Sequence, residues 1–242
     1  MARVLERSAK RGGRAARLAA RSQPLSDDLR PVRAGLEGGW YRPLSPENVT
    51  RIHNAALDAL EHIGLSNAPE SGVEILTGAG AVLADDGRIR FPRALVEDML
   101  ALAARDITLH GRDDRYDLQV GGKRVYFGTA GAAVSVVDVE KREYRDATTQ
   151  DLHDAARVVQ ALDNVHFFQR AMVCRDIDGS FDLDVNTVYA SCAGTTKHVG
   201  TSFSDPANVS GCLELLHMIA GGEEAWRRRP FVSNSNCFVV PP

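Results

Sequence analysis

The chain has 242 residues, 44% of them hydrophobic and 25% charged, which are the proportions of an ordinary globular protein with one or two domains. A formal net charge of -3 argues against a nucleic-acid-binding protein, and no apolar run reaches the roughly 18 residues that a membrane span needs. The cysteines lie far apart, which excludes a Cys-x-x-Cys motif and favours a reducing, cytoplasmic compartment. They are Cys174, Cys192, Cys212 and Cys237.

Residues 1–43 are predicted to be a basic arm that is rich in proline and glycine towards its end. Between residues 3 and 21 the only acidic residue is Glu6, among many arginines. Such a segment is compatible with a transit peptide, or with an arm for RNA or anionic lipid. A solvated tail that covers the rest of the protein or a partner is the preferred interpretation.

Residues 44–162 are predicted to form a cap of helices and antiparallel strands. Ser45 and Pro46 are typical of a helix start and Gly64 of its end. Short strands separated by glycine or polar turns follow, beginning with a hairpin at Asp86–Gly87. The first helix carries apolar residues at helical spacing, namely Val49, Ile52, Ala56, Leu57, Leu60 and Ile63.

Residues 163–242 alternate between apolar strands and helices with short loops, which is typical of parallel βαβ units. The predicted fold is therefore α/β: the first three strands of a partial (β/α)8 TIM barrel, preceded by the helical and antiparallel β cap. The predicted strands are 165–172, 198–203 and 231–237, and the helices between them are 183–193 and 206–220.

Three parallel strands with helices on one face leave the other face and both edges uncovered, although a parallel sheet needs cover on both faces. The sequence therefore predicts a truncated barrel, or one that a partner completes. The isolated chain is expected to expose apolar sheet surface and to associate.

Several segments, in their order and spacing, resemble the trimethylamine methyltransferase family from about Leu44 to the end of the chain. None of them is a catalytic signature by itself. The segments are 44–57, 61–64, 125–131, 136–138, 145–151 and 195–198.

The resemblance implies a (β/α)8 enzyme with an N-terminal extension, of about twice this length. Such an enzyme moves a methyl group from a small methylated amine to the cobalt of a separate corrinoid protein, a reaction used in methanogenesis. No cofactor or metal would bind this chain directly, since the partner carries the corrinoid (cobalamin). The full-length enzyme is expected to be a homo-oligomer. The pyrrolysine of some members falls beyond Pro242, so the subtype and the catalytic residues stay open.

Barrel active sites lie at the C-terminal ends of the strands. The polar residues predicted to face a substrate pocket there are Gln169, Ser202, Asn234 and Asn236, with satisfied polar residues of a loop as the equally weighted alternative. Aromatic faces and carboxylates commonly stabilise methylated ammonium ions.

Other residues that could have a catalytic or binding role are interpreted as structural. Lys197 and His198 fall at the N-terminal end of the second strand, and Phe168 and Phe203 are expected in the core. The glycine-rich loop 128–131 lacks the Gly-Lys-Ser/Thr of a phosphate loop and is predicted to fold over the barrel mouth.

Two alternatives stay open from the sequence. The chain is either a non-catalytic binding or assembly module that uses its cap and basic arm, or an incomplete barrel enzyme of another type. As an N-terminal fragment of a methyltransferase, it is expected to be inactive alone.

Overall fold

The computed structural model describes residues 13–23, 26, 30 and 32–235. The chain divides into two compact units at Arg33 and Ala34. The described part of the first unit contains a helix, α1 (Arg14–Ser22), where the sequence predicts a solvated tail. Alanine and arginine are both strong helix formers, which accounts for the helix.

The second unit begins with a helical part that follows the sequence prediction. At the start of α2, the Ser45 hydroxyl accepts a hydrogen bond from the Asn48 backbone N–H at 3.2 Å. Gly64 follows the end of the same helix with a φ of +69°. A short hairpin, β2 with β3, lies between the second and third helices of this part. The bounds are α2 Pro46–His62, α3 Glu70–Gly78, β2 Val82–Leu83, β3 Ile89–Arg90 and α4 Arg93–Leu102.

The apolar stripe of α2 is not buried as a whole. Leu57 is buried, whereas Val49, Ile52 and Ile63 are all more than half exposed. Beside the stripe, α2, α3 and α4 enclose an apolar groove of about 410 Å3. The groove is lined by Leu60, Leu65, Leu76, Ala79, Phe91, Leu95, Val96, Met99 and Leu100.

Antiparallel pairs make up the rest of the cap, as predicted. β4 pairs with β5, β7 pairs with β8, and β6 pairs with β1, which lies in the proline- and glycine-rich end of the predicted arm. Helix α5 follows, with Thr148 and Asp151 forming a capping box at its start. The bounds are β1 Leu36–Glu37, β4 Asp106–Leu109, β5 Leu118–Gly121, β6 Arg124–Val125, β7 Ser135–Asp138, β8 Glu143–Asp146 and α5 Thr149–Ala161.

The three predicted parallel strands are present, in the order β9-β10-β11. Helix α6 connects β9 to β10, and α7 and α8 lie between β10 and β11. The short helix α8 is not predicted from the sequence. The bounds are β9 Phe168–Gln169, α6 Ser180–Gly194, β10 Val199–Thr201, α7 Val209–Ala220, α8 Glu223–Arg228 and β11 Val232–Asn234.

One face of this sheet holds the largest core cluster. Phe168 and Val199 are neighbours in register and almost completely buried. They belong to a cluster with Leu152 and Val159 of α5, Val188 and Cys192 of α6, and Cys212 and Leu216 of α7. This face of the sheet therefore carries the helices.

The free edge of β9 is covered, which corrects the expectation that both sheet edges are open. Gly128 and Ala133 form parallel bridges with Phe167 and Met172. The backbone N–H of Ala133 donates to the Ala171 carbonyl at 2.9 Å, and that of Val173 donates to the Ala133 carbonyl at 2.9 Å. Closure into a (β/α)8 barrel stays a prediction. Within the described residues, no helix has both the length and the apolar composition needed to cross a membrane.

Candidate functional site

The sheet face opposite the helices is polar at its paired positions. Successive strand residues point to opposite faces, so the neighbours of the buried Phe168 and Val199 face away from the helices. These neighbours, Gln169 and Gly200, are paired in register, and Ser233 pairs with Gly200 on the other side. The predicted apolar sheet surface is therefore not found at these positions.

The Gln169 side chain lies directly across Gly200. A Cβ atom built on Gly200 would overlap the Gln169 Oε1 atom and lie 2.9 Å from its Cδ atom. Gly200 is buried and Gln169 is partly buried. The carboxamide therefore lies over Gly200, near the C-terminal ends of β9 and β10.

Thr129, in the loop predicted to cover the barrel mouth, fixes the backbone of Gln169. The Gln169 N–H donates to the Thr129 hydroxyl at 2.8 Å, and this hydroxyl donates to the Gln169 carbonyl at 2.6 Å. The preceding Gly128 lies against the Phe167 ring, with no room for a Cβ atom. The structure thus brings this loop to the C-terminal end of β9.

Ser202 and Arg170 lie at the same end of the sheet. Ser202 is partly buried, and its carbonyl accepts a hydrogen bond from the Arg170 guanidinium at 3.4 Å. Among the described residues, Arg170 makes no ion pair with a carboxylate. It therefore places a positive charge near the C-terminal ends of β9 and β10.

Asp184 of α6, which the sequence analysis did not single out, holds the loop that follows Ser202. Its buried carboxylate accepts hydrogen bonds from the Ser204 backbone N–H at 2.8 Å, from the Ser204 hydroxyl at 2.9 Å and from the Asn208 amide at 2.8 Å. A buried aspartate needs partners, but α6 also contains Asp182, so the sequence alone did not show which of the two is buried.

The two predicted asparagines are placed differently from Gln169 and Ser202. Asn234 is exposed and pairs in register with Thr201, on the side of the sheet that faces the helices. Asn236 lies outside the described residues, as does Cys237. The role of both asparagines in substrate binding stays a prediction.

Lys197 is structural, as predicted from its position. It is 2% exposed, and its ammonium donates to the carbonyls of Val159 at 2.8 Å, Leu162 at 2.7 Å and Val165 at 2.6 Å. Burial lowers the pKa of Lys197, while these three carbonyls favour its charged form. The side chain ties the end of α5 to the sheet.

His198 is also engaged at the N-terminal end of β10. Its Nδ1 lies 2.8 Å from the His110 carbonyl and its Nε2 lies 3.0 Å from the Ser233 hydroxyl. Nearby, Arg229 forms a two-pronged ion pair with Asp117. These contacts tie the N-terminal end of the sheet to the cap.

We expect acid to destabilise the protein through its buried histidines. Burial lowers the pKa of both His166 and His198. The unfolded chain therefore takes up protons first, below about pH 6.5, and stability falls by at most about 1.4 kcal/mol per pH unit for each histidine. Urea unfolding between pH 7.5 and 5.5 measures this slope, which His198→Asn should flatten. The exposed His53→Asn is the control, and an equal slope in both variants contradicts the account.

The described cysteines are not poised as nucleophiles. Cys174, Cys192 and Cys212 are buried, and burial raises their pKa values to about 11, 12 and 11 respectively. They remain neutral thiols near pH 7.

One surface cluster has ligand atoms close enough together to hold a metal ion. It consists of Asp58, Glu61 and His62 on α2, where Asp58 already forms an ion pair with Arg93 at 2.6 Å. The cluster belongs to the cap and not to the polar sheet face.

Comparison with known proteins gives one family and several relatives. Residues 10–242 match the family model described as trimethylamine methyltransferase (MTTB). A trimethylamine methyltransferase of Desulfitobacterium hafniense is 31% identical over 209 residues, which are 86% of this chain and 42% of the relative. One of Methanosarcina mazei is 25% identical over 85% of this chain and 43% of the relative.

A glycine betaine methyltransferase of Desulfitobacterium hafniense is 25% identical over 78% of this chain and 39% of the relative. The chain thus spans less than half the length of each of these relatives.

Proposed function

Because the chain belongs to the trimethylamine methyltransferase family, we propose that it is the N-terminal portion of an enzyme that methylates the cobalt of a corrinoid protein. The methyl donor is a small tertiary or quaternary methylated amine. The observation that carries the proposal is the polar sheet face around Gln169 and Gly200, found in a chain with this family match.

The proposed reaction is a displacement at an sp3 methyl carbon. The electron pair of Co(I) forms the new cobalt–carbon bond while the carbon–nitrogen bond breaks, and the bonding pair stays on nitrogen. A quaternary donor therefore leaves as a neutral tertiary amine, and a tertiary donor, which reacts in its protonated form, leaves as a neutral secondary amine. The protein must hold the ammonium with one methyl group towards the cobalt and exclude water.

The sheet supports this assignment by its geometry. In (β/α)8 barrels the substrate lies at the C-terminal ends of the strands. Gln169 and Ser202 lie at that end, whereas Lys197, His198 and the pair of Arg229 with Asp117 make structural contacts at the N-terminal end. We infer that β9–β11 are three strands of such a barrel, to which the rest of a longer polypeptide contributes the others.

The corrinoid is proposed to arrive on a partner protein. Both ring nitrogens of His198 are engaged in hydrogen bonds, so this histidine of the described face offers no imidazole to a cobalt ion. The cobalt is therefore proposed to be bound by another protein and not by His198. A cytoplasmic location and a homo-oligomeric full-length enzyme belong to the same proposal.

One observation favours a second function, a binding or assembly module. The cap exposes the stripe of α2 and the adjoining apolar groove, and surfaces of this kind mark interaction sites. The two functions differ in whether methyl groups are transferred.

The test is methyl transfer by the full-length polypeptide in the presence of a reduced corrinoid protein. We expect the absorbance of Co(I) to be replaced by that of methyl-Co(III) when the donor is added, and residues 1–242 alone to give no turnover. Arg170 should favour glycine betaine, which has a carboxylate, over trimethylamine, which is cationic at neutral pH. Absence of transfer from both amines overturns the proposal.

A further inference from the structure

Gly200 provides space for a neighbouring side chain and does not have a backbone conformation that needs glycine. It is not among the glycines with a positive φ, so an alanine can adopt its backbone angles. The three atoms nearest to a Cβ built there are Oε1, Cδ and Nε2 of Gln169. The missing side chain at position 200 therefore makes room for one group, the Gln169 carboxamide.

The backbone of Gln169 is fixed independently. The Thr129 hydroxyl both accepts from the N–H and donates to the carbonyl of Gln169. Gln169 also pairs with Gly200 in the parallel register of β9 and β10. The backbone is thus held on both edges, and the side chain lies over Gly200, whose missing Cβ leaves space for the carboxamide.

We propose that the Gln169 carboxamide contacts the methylated ammonium of the substrate, and that Gly200 and Thr129 are positioning residues that aim it. This inference rests on the proposed function. A quaternary ammonium has no N–H donor, and its positive charge is spread over its methyl groups. An amide oxygen faces such a surface with its negative end and needs no hydrogen bond in return.

A neutral amide suits the reaction better than a carboxylate. The positive charge on nitrogen disappears as the carbon–nitrogen bond breaks, so a group that binds the cation strongly stabilises the ground state more than the transition state. Gln169→Glu is therefore expected to lower KM and to lower kcat as well. A purely structural glutamine would not give this split.

The experiment measures KM and kcat of the full-length enzyme with trimethylamine and glycine betaine. Gln169→Ala and Gly200→Ala are each expected to raise KM about tenfold for the preferred donor, which corresponds to roughly 1.4 kcal/mol. The double variant should be no worse than Gln169→Ala, because the alanine at position 200 acts through the carboxamide. Thr129→Val should resemble Gly200→Ala, and Thr129→Ser should restore the kinetics.

The outcomes separate this inference from the proposed function. If the wild type transfers methyl groups and both single variants keep its KM and kcat, the inference is overturned while the proposed function stands. Losses that add in the double variant overturn the positioning role of Gly200. If the wild type transfers methyl groups from neither amine, the proposed function itself fails. The thermal midpoint of each variant verifies that the fold is kept.

Discussion

Lys197→Met is expected to lower the free energy of unfolding by about 3 kcal/mol, because it removes a buried charged donor from three carbonyls, of which only those of Val159 and Leu162 keep a backbone N–H donor. The carbonyls of Val159, Leu162 and Val165 all accept from this ammonium at 2.6–2.8 Å. Two of them, those of Val159 and Leu162, belong to the end of α5, where a positive charge also complements the helix dipole. Urea unfolding of residues 1–242 measures the loss.

The matched control is Lys123→Met, which removes an exposed ammonium. Lys123 lies 3.3 Å from Glu37, and both side chains are more than half exposed. Its loss should cost less than about 1 kcal/mol. A Lys197→Met variant that is as stable as this control would show that the carbonyls find other partners and that Lys197 does not tie α5 to the sheet.

Asp184→Ala is expected to lower the free energy of unfolding by about 3 kcal/mol and to loosen the loop that follows β10. The carboxylate is 1% exposed and holds both donor groups of Ser204, together with the Asn208 amide. Without it, these donors are left unsatisfied. The loop should then become a site of limited proteolysis, which mass spectrometry of the fragments locates.

Asp182→Ala on the same helix is the control for this prediction. Asp182 is exposed in the first turn of α6, so its removal costs only a favourable interaction with the helix dipole. Equal stability and equal cleavage of the two variants would mean that Asp184 does not hold the loop.

Capping residues and short-range sequence patterns correctly predicted the helices and strands that depend on interactions between residues close in the chain. Ser45 and Pro46 fix the start of α2, and Gly64 follows its end. The alternation of strands and helices after residue 163 correctly predicted three parallel strands. Helix α8 was missed because its six residues are too few to show an apolar periodicity.

Contacts between residues that lie far apart in the chain were not predicted from the sequence. The pairing of Leu36 with Val125 depends on the path of the whole cap. The cover over the edge of β9 depends on bridges between Gly128 and Phe167. Neither leaves a sequence pattern, because a pair of strand residues far apart in the chain has no fixed spacing.

The candidate site shows the same limit. Gln169 and Ser202 were predicted as polar residues at the C-terminal ends of two barrel strands, and they lie at that end of the sheet. The face of each side chain depends on the strand register, which places Ser233 with Gly200 and Asn234 with Thr201. A shift of one residue exchanges the two faces, so the sequence alone did not distinguish Ser233 from Asn234.

Methyl transfer from the amine to the corrinoid protein is measured most directly by following a labelled methyl group. Full-length enzyme, reduced corrinoid protein and amine with deuterated methyl groups are mixed for a single turnover, and mass spectrometry locates the label. We expect deuterated methyl groups on the cobalt of the corrinoid protein and an amine product that has lost one methyl group. An amine that is bound but keeps all of its label would contradict methyl transfer and support the binding or assembly module.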